Sequence, residues 1–155
     1  MSVIGESELR QFGLRTTEGR RRVLGMLERL PHSDAATLHS ALTADNFRTS
    51  LQSVHNVLGS LTDAGVIRRI EPAGSAALYE RRINDNHHHI VCTSCSAIAD
   101  VDCAVGYSPC LHPSDLAGFT ISSAEVTFWG VCTECTDSRN PPIPATKETG
   151  SVHDR

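Results

Sequence analysis

Apolar residues recur at helical spacing through the first part of the chain and at strand spacing after it. Val23, Leu24, Leu27 and Leu30 share one face of a helix that Thr17 can N-cap and Pro31 stops. Asp34 can cap a second helix, with Ala35, Leu38 and Leu42 as its buried positions. Ser50 caps a third, in which Val54, Val57, Leu58 and Leu61 follow the pattern of one helix face and Gly65 stands where a C-terminal cap belongs. Beyond Gly65 the period shortens. VIRRI, the turn EPAGSA and ALYERR predict a two-stranded hairpin.

Three helices followed by a hairpin that carries Arg68, Arg69, Arg81 and Arg82 describe a winged helix-turn-helix over residues 1–82. A polar hinge at 83–86 leads into HHHIVCTSC, a short strand AIADV, a cysteine-containing loop, a short helical stretch near Ser114 to Ala117 and a long strand AEVTFWGVC. Residues 87–135 therefore form a small C-terminal α/β unit, and the fold class is α+β. Residues 136–155 are polar and proline-containing and are expected to be a disordered tail.

Charge assigns the halves different tasks. The net charge of -4 argues against indiscriminate nucleic-acid binding, but residues 1–82 hold eleven Arg against nine Asp or Glu, while residues 83–155 hold three basic against nine acidic residues. A polyanion is met by the first half. The exposed face of the third helix offers Gln52, Ser53, His55 and Asn56, neutral hydrogen-bonding side chains of the kind that read base edges. The expected partner is a double-stranded DNA operator, with bases met by Ser53, His55 and Asn56 and phosphates by Arg20, Arg21, Arg22, Arg68 and Arg69. The alternative is a small helical domain whose third helix is only a scaffold. No stretch is long and apolar enough for a membrane span, and MSVIGESELRQF lacks the features of a secretory signal, so a cytoplasmic protein is expected.

In a reducing compartment, cysteines serve more often as metal ligands than as structural disulfides. Cys92/Cys95 and Cys132/Cys135 form two CxxC pairs, each following a strand, and two such knuckles can converge on one tetrahedral Zn(II). Four thiolates close the coordination shell, so that ion is structural. His87 and His89 alternate along a strand and share a face, with His88 on the other. Either the run of histidines is a solvated strand edge, or together with His32, Glu80 and Asp100 it offers a nitrogen and oxygen set suited to Fe(II), Mn(II) or Zn(II). Cys103 and Cys110 stand outside both sets, either as small buried residues or as a redox-switched pair. A zinc hydrolase would need an open site and a placed general base. Neither motif is present, and the chain reads as a non-enzyme.

Taken in order, GLRTTEGRRRVL, His32, SLQSVHNVLGSLTDAGVI, LYE, HHHIVCTSC, IADVD and WGVCTEC resemble the ferric uptake regulator superfamily of dimeric bacterial repressors. The likeness covers about residues 8–136. YERRINDNHHHIVC through ADVDCAVGYSPCL is most similar to the FurA or CatR branch of peroxide-responsive repressors, commonly linked to catalase-peroxidase genes. The resemblance implies a homodimer joined through residues 87–135 and a regulatory metal site of His32, Glu80, His87, His89 and Asp100 at the junction of the domains. It also implies that peroxide-sensing members oxidise their own histidines, which makes His32 and His87 the sensor candidates. This chain departs from the family in three respects. His55 replaces the usual Tyr, Ala124 replaces a histidine of a further site, and the ligand set mixes Asp100, favoured by peroxide sensors, with Glu80, more usual in iron sensors. A regulator of iron or zinc uptake, answering to metal alone, is the competing expectation.

Overall fold

The computed structural model describes residues 6–81, 87–105, 111–122 and 124–136. Four helices come first: α1 Glu6–Gln11, α2 Glu18–Arg29, α3 Ala35–Ala44 and α4 Leu51–Asp63. The three caps expected from sequence are in place. Thr17 Oγ1 accepts from Arg20 N–H at 3.3 Å, the Asp34 carboxylate from Thr37 N–H at 2.7 Å and Ser50 Oγ from Ser53 N–H at 3.1 Å. Each satisfies a donor that the first helical turn leaves without an intrahelical partner. Gly65, at φ +74, closes α4 as expected, with Gly65 N–H on Thr62 O and Val66 N–H on Leu61 O. Asn46 (φ +59) ends α3 in the same double hydrogen bond.

Helices α2, α3 and α4 enclose one core built on Leu24, Leu27, Leu38, Leu42, Leu58 and Leu61, sealed by Val66, Ile67 and Tyr79. Two expectations need correction here. The short helix α1 precedes the three read from sequence; six residues carry too little periodicity to announce it, but Leu9 is fully buried in the core and holds it. Leu30 is the C-cap of α2 and is exposed, because the helix ends one residue before its apolar stripe does.

The hairpin is β1 Arg68–Ile70 against β2 Leu78–Glu80, antiparallel. Strand β3 His87–Cys92 is the centre of a second sheet in the order β4-β3-β5, with β4 Ile98–Asp102 antiparallel and β5 Thr127–Gly130 parallel to it. A one-turn helix, α5 Thr133–Thr136, follows. The long strand expected over AEVTFWGVC is limited to β5, since β3 offers it partners only from His89 to Cys92. The helix expected near Ser114 to Ala117 is instead a turn. Asp115 accepts from Ala117 N–H, and Ala117 and Gly118 both have positive φ. Arg82, the hinge at 83–86, Cys110 and residues 137–155 lie outside the described residues.

The C-terminal unit is thin. Among its described residues the buried apolar side chains are Val91 and Cys92, while Ile90, Phe128, Trp129 and Val131 are exposed. At about 25 cal/mol per Å² of apolar area, so small a core needs a staple or a second chain to hold its shape.

Candidate metal centres and DNA-contacting face

Parallel pairing of β3 with β5 sets Cys92 opposite Gly130, so both strands deliver their CxxC knuckles to the same end of the sheet. Thr93 N–H donates to Gly130 O at 2.7 Å and locks that end, and Cys132 N–H points at Cys92 Sγ at 3.4 Å. The four sulfurs of Cys92, Cys95, Cys132 and Cys135 lie within 4.8 Å of one another. Cys95 Sγ and Cys132 Sγ are 3.7 Å apart. Bonds of about 2.3 Å to a tetrahedral zinc imply sulfurs about 3.8 Å apart, so the donor set fits that ion in type and spacing.

Backbone N–H groups of Cys132, Cys95 and Ser94 aimed at Cys92 lower its thiol to about 6. Crowding by the sulfurs of Cys132 and Cys95 pushes Cys135 up to about 12. A cluster in which one thiolate forms readily and its neighbours resist is what four sulfurs do without a cation to share.

The second cluster joins the two halves. His32 sits at φ +57, a left-handed conformation unusual for a residue with a Cβ. It is held there because Tyr79 N–H donates to Ser33 O at 3.0 Å, clipping the loop before α3 onto β2. The imidazole thereby reaches Glu80 Oε2 at 2.9 Å and Asp100 Oδ1 at 2.8 Å. His87 and His89 come from one face of β3, as their alternation requires. His87 Nε2 is 3.1 Å from Glu80 Oε1 and 3.9 Å from Asp100 Oδ1, and His89 Nε2 is 3.4 Å from both Glu80 Oε2 and Asp100 Oδ1. Register explains Asp100, which is the cross-strand partner of His89.

Donors bonded to one cation at about 2.0–2.2 Å stand roughly 2.9–3.5 Å apart at tetrahedral or octahedral corners. The His32, Glu80, His89 and Asp100 atoms fit that spacing, and His87 adjoins it through Glu80. Glu80 and Asp100 carry the negative charge that a divalent ion cancels, and the imidazoles add nitrogen donors. Burial works to raise the Glu80 carboxyl, but hydrogen bonds from His32 and His89 and the charges of His89 and His87 outweigh it and hold it far below the usual carboxylate range. Its hydrogen bond to Glu80 in turn raises the His32 imidazole, against burial and with help from Asp100. His88 faces the other way, edge-on to Phe128 at 6.3 Å, which gives it a packing role.

On α4, Gln52, Ser53, His55 and Asn56 are exposed, and Gln52 Nε2 donates to Asn56 Oδ1 at 3.0 Å. The expected phosphate contacts divide. Arg21 and Arg22 both pair with Glu18, and Arg69 pairs with Glu71, at exposed positions from which a phosphate could draw them. Arg20 turns inward. Its guanidinium donates to Arg15 O at 2.6 Å and Ser60 Oγ at 3.4 Å, tying the chain before α2 to α4. Arg68 also turns inward, between Glu80 and Glu125. Sequence reasoning missed both inward roles, whose only signal is the β1–β2 register for Arg68. Cys103 is half-buried, and Cys110, its partner in the redox-pair alternative, lies outside the described residues.

Known proteins resemble this chain in sequence and in fold. The profile of the Ferric uptake regulator family matches residues 11–128. Transcriptional regulator FurA of Mycobacterium tuberculosis is 50% identical over 131 residues, covering 84% of this chain and 89% of that protein. Peroxide-responsive repressor PerR of Staphylococcus aureus is 26% identical over 137 residues, covering 84% and 88%. Among solved structures, the ferric uptake regulator of Vibrio cholerae superposes with a TM-score of 0.65 at 21% identity, over 82% of this chain and 98% of that one, which establishes the fold.

Proposed function

Because this chain belongs to the ferric uptake regulator family, and is thus a metal-responsive transcriptional regulator and not an enzyme, we propose that it is a homodimeric repressor which senses peroxide at the His32 cluster. His32, Glu80, His87, His89 and Asp100 form the regulatory site in this proposal, and Cys92, Cys95, Cys132 and Cys135 hold a structural Zn(II). The observation that carries it is that His32, from the DNA-binding half, shares Glu80 and Asp100 with His89 of the sheet. Any cation taken up there fixes one half against the other, and a ligand that favours one arrangement shifts the population toward it.

A redox-active Fe(II) at this site would supply the reduction of peroxide. The protein's part is to hold two near-buried imidazoles, His32 and His87, beside that chemistry, with Glu80 turning one carboxylate oxygen toward each. Oxygenation of His32 removes the donor that spans the domains and releases the operator. Exposed Ser53, His55 and Asn56 meet base edges, while Arg21, Arg22 and Arg69 exchange their carboxylate partners for phosphates. The exposed apolar residues of β5 support pairing with a second copy. Catalase-peroxidase or other oxidative-defence genes are the proposed targets.

The test is peroxide treatment of Fe(II)-loaded protein followed by mass spectrometry and a gel shift on an oxidative-defence promoter. Gain of one oxygen on His32 or His87 with loss of DNA binding is the expected result. Unmodified histidines with metal-dependent binding would favour the second reading, a regulator of iron or zinc uptake, which the participation of Glu80 supports.

A further inference from the structure

Arg68 and Glu80 are directly opposite on β1 and β2, so their side chains leave the hairpin on the same face, toward the sheet. One guanidinium nitrogen of Arg68 lies 3.9 Å from Glu80 Oε1 and another 3.4 Å from Glu125 Oε1, just before β5. Its neighbour Arg69 leaves on the opposite face, where it is exposed and paired with Glu71. The Arg68 side chain is 26% exposed and Glu80 is 2% exposed, so this charge bears on a buried carboxylate in a poorly screened setting.

We propose that Arg68 is a positioning residue of the regulatory metal centre, which ties the wing to Glu125 of the C-terminal unit and competes with a divalent cation for the Glu80 carboxylate. The inference rests on the metal reading above. Without a cation, Arg68 sets a permanent positive charge beside Glu80 and keeps the hairpin close to the sheet. With a cation in place, Glu80 is neutralised from the other side and the pull on Arg68 weakens. Arg68 therefore sets the threshold concentration at which metal is taken up.

The experiment is Mn(II) titration of full-length, zinc-replete protein, with free Mn(II) followed by its paramagnetic resonance signal. Wild-type protein should bind one exchangeable Mn(II) that His89→Ala abolishes. Arg68→Gln should bind it about tenfold more tightly, because a like charge near the cation has been removed. Arg68→Lys, which keeps the charge, should stay near wild type. A merely structural Arg68 predicts the opposite sign, since a loosened site binds metal less well. Unchanged or weaker binding by Arg68→Gln overturns the proposal alone, whereas wild-type protein with no His89-dependent Mn(II) overturns the metal reading and this proposal with it. If Arg68→Gln does not fold, Glu125→Gln at an exposed position decides. It should weaken Mn(II) binding about threefold by leaving Arg68 to act on Glu80 alone, and unchanged or tighter binding overturns the proposal.

Discussion

His32 Nε2 lies 2.8 Å from Asp100 Oδ1, so a loop of the helical half touches the central sheet of the other half through one imidazole. His32→Ala should therefore weaken the link between the halves, which Glu80 and Arg68 still bridge, without unfolding either. Mn(II) affinity should fall at least about 100-fold, since loss even of an outer partner of a metal ligand costs 10–100-fold. The zinc content should be unchanged. Titration calorimetry together with zinc analysis checks this, and Mn(II) affinity within a few-fold of wild type would remove His32 from the site.

The raised His32 pKa fixes the sign of a pH effect. A group whose folded pKa is raised stabilises the fold fully below its ordinary value and loses that contribution as pH rises through the folded value. Metal binding needs the neutral ring and so gains over the same window. Metal-free protein should lose melting temperature, and Mn(II)-loaded protein should gain it, between about pH 6 and 8. Thermal melts across that range, with and without Mn(II), check the opposite slopes. Parallel slopes would mean that His32 does not bind the ion.

For the sulfur cluster, zinc loading near neutral pH should release protons, chiefly from thiols held high such as Cys135, since Cys92 is already lowered to about 6. Cys135→Ser should abolish the tightly held zinc and, because the unit buries so little apolar surface, melt the C-terminal half and the dimer. Sedimentation and tryptophan fluorescence of Trp129 report both. A stable dimer without zinc would show that the staple is dispensable.

Gly65 has open space where a Cβ would stand, so the only obstacle to a side chain there is its φ of +74. Gly65→Ala should cost about 1 kcal/mol in urea unfolding, the price of a left-handed residue. No loss would mean that the end of α4 rearranges freely.

On α4, Asn56→Ala should weaken operator binding by about 1–3 kcal/mol and relax preference at one base pair, while Arg21→Ala should weaken all sequences alike and reduce the salt dependence. Competition gel shifts at two salt concentrations separate these outcomes. A uniform loss for Asn56→Ala would turn it into a phosphate contact.

Short-range chemistry was legible without coordinates. Thr17, Asp34, Ser50 and Gly65 act within four residues of themselves, through caps and a left-handed turn, and each has the role its type and position predict. The donor types of the four cysteines and of the His87/His89 pair were equally legible, since thiols at CxxC spacing and imidazoles at strand spacing are local patterns. Tertiary structure decided what lies far apart along the chain. The parallel pairing of β3 with β5 brings the two knuckles together, yet neither strand's residues state the direction of its partner. The Ser33–Tyr79 bridge sets the left-handed His32, and the register of Arg68 on Glu80 turns an arginine expected at DNA toward that carboxylate. Local sequence selects helix ends and donor atoms because those energies depend on near neighbours. Which donors meet depends on strand register and domain packing, energies summed over the whole fold.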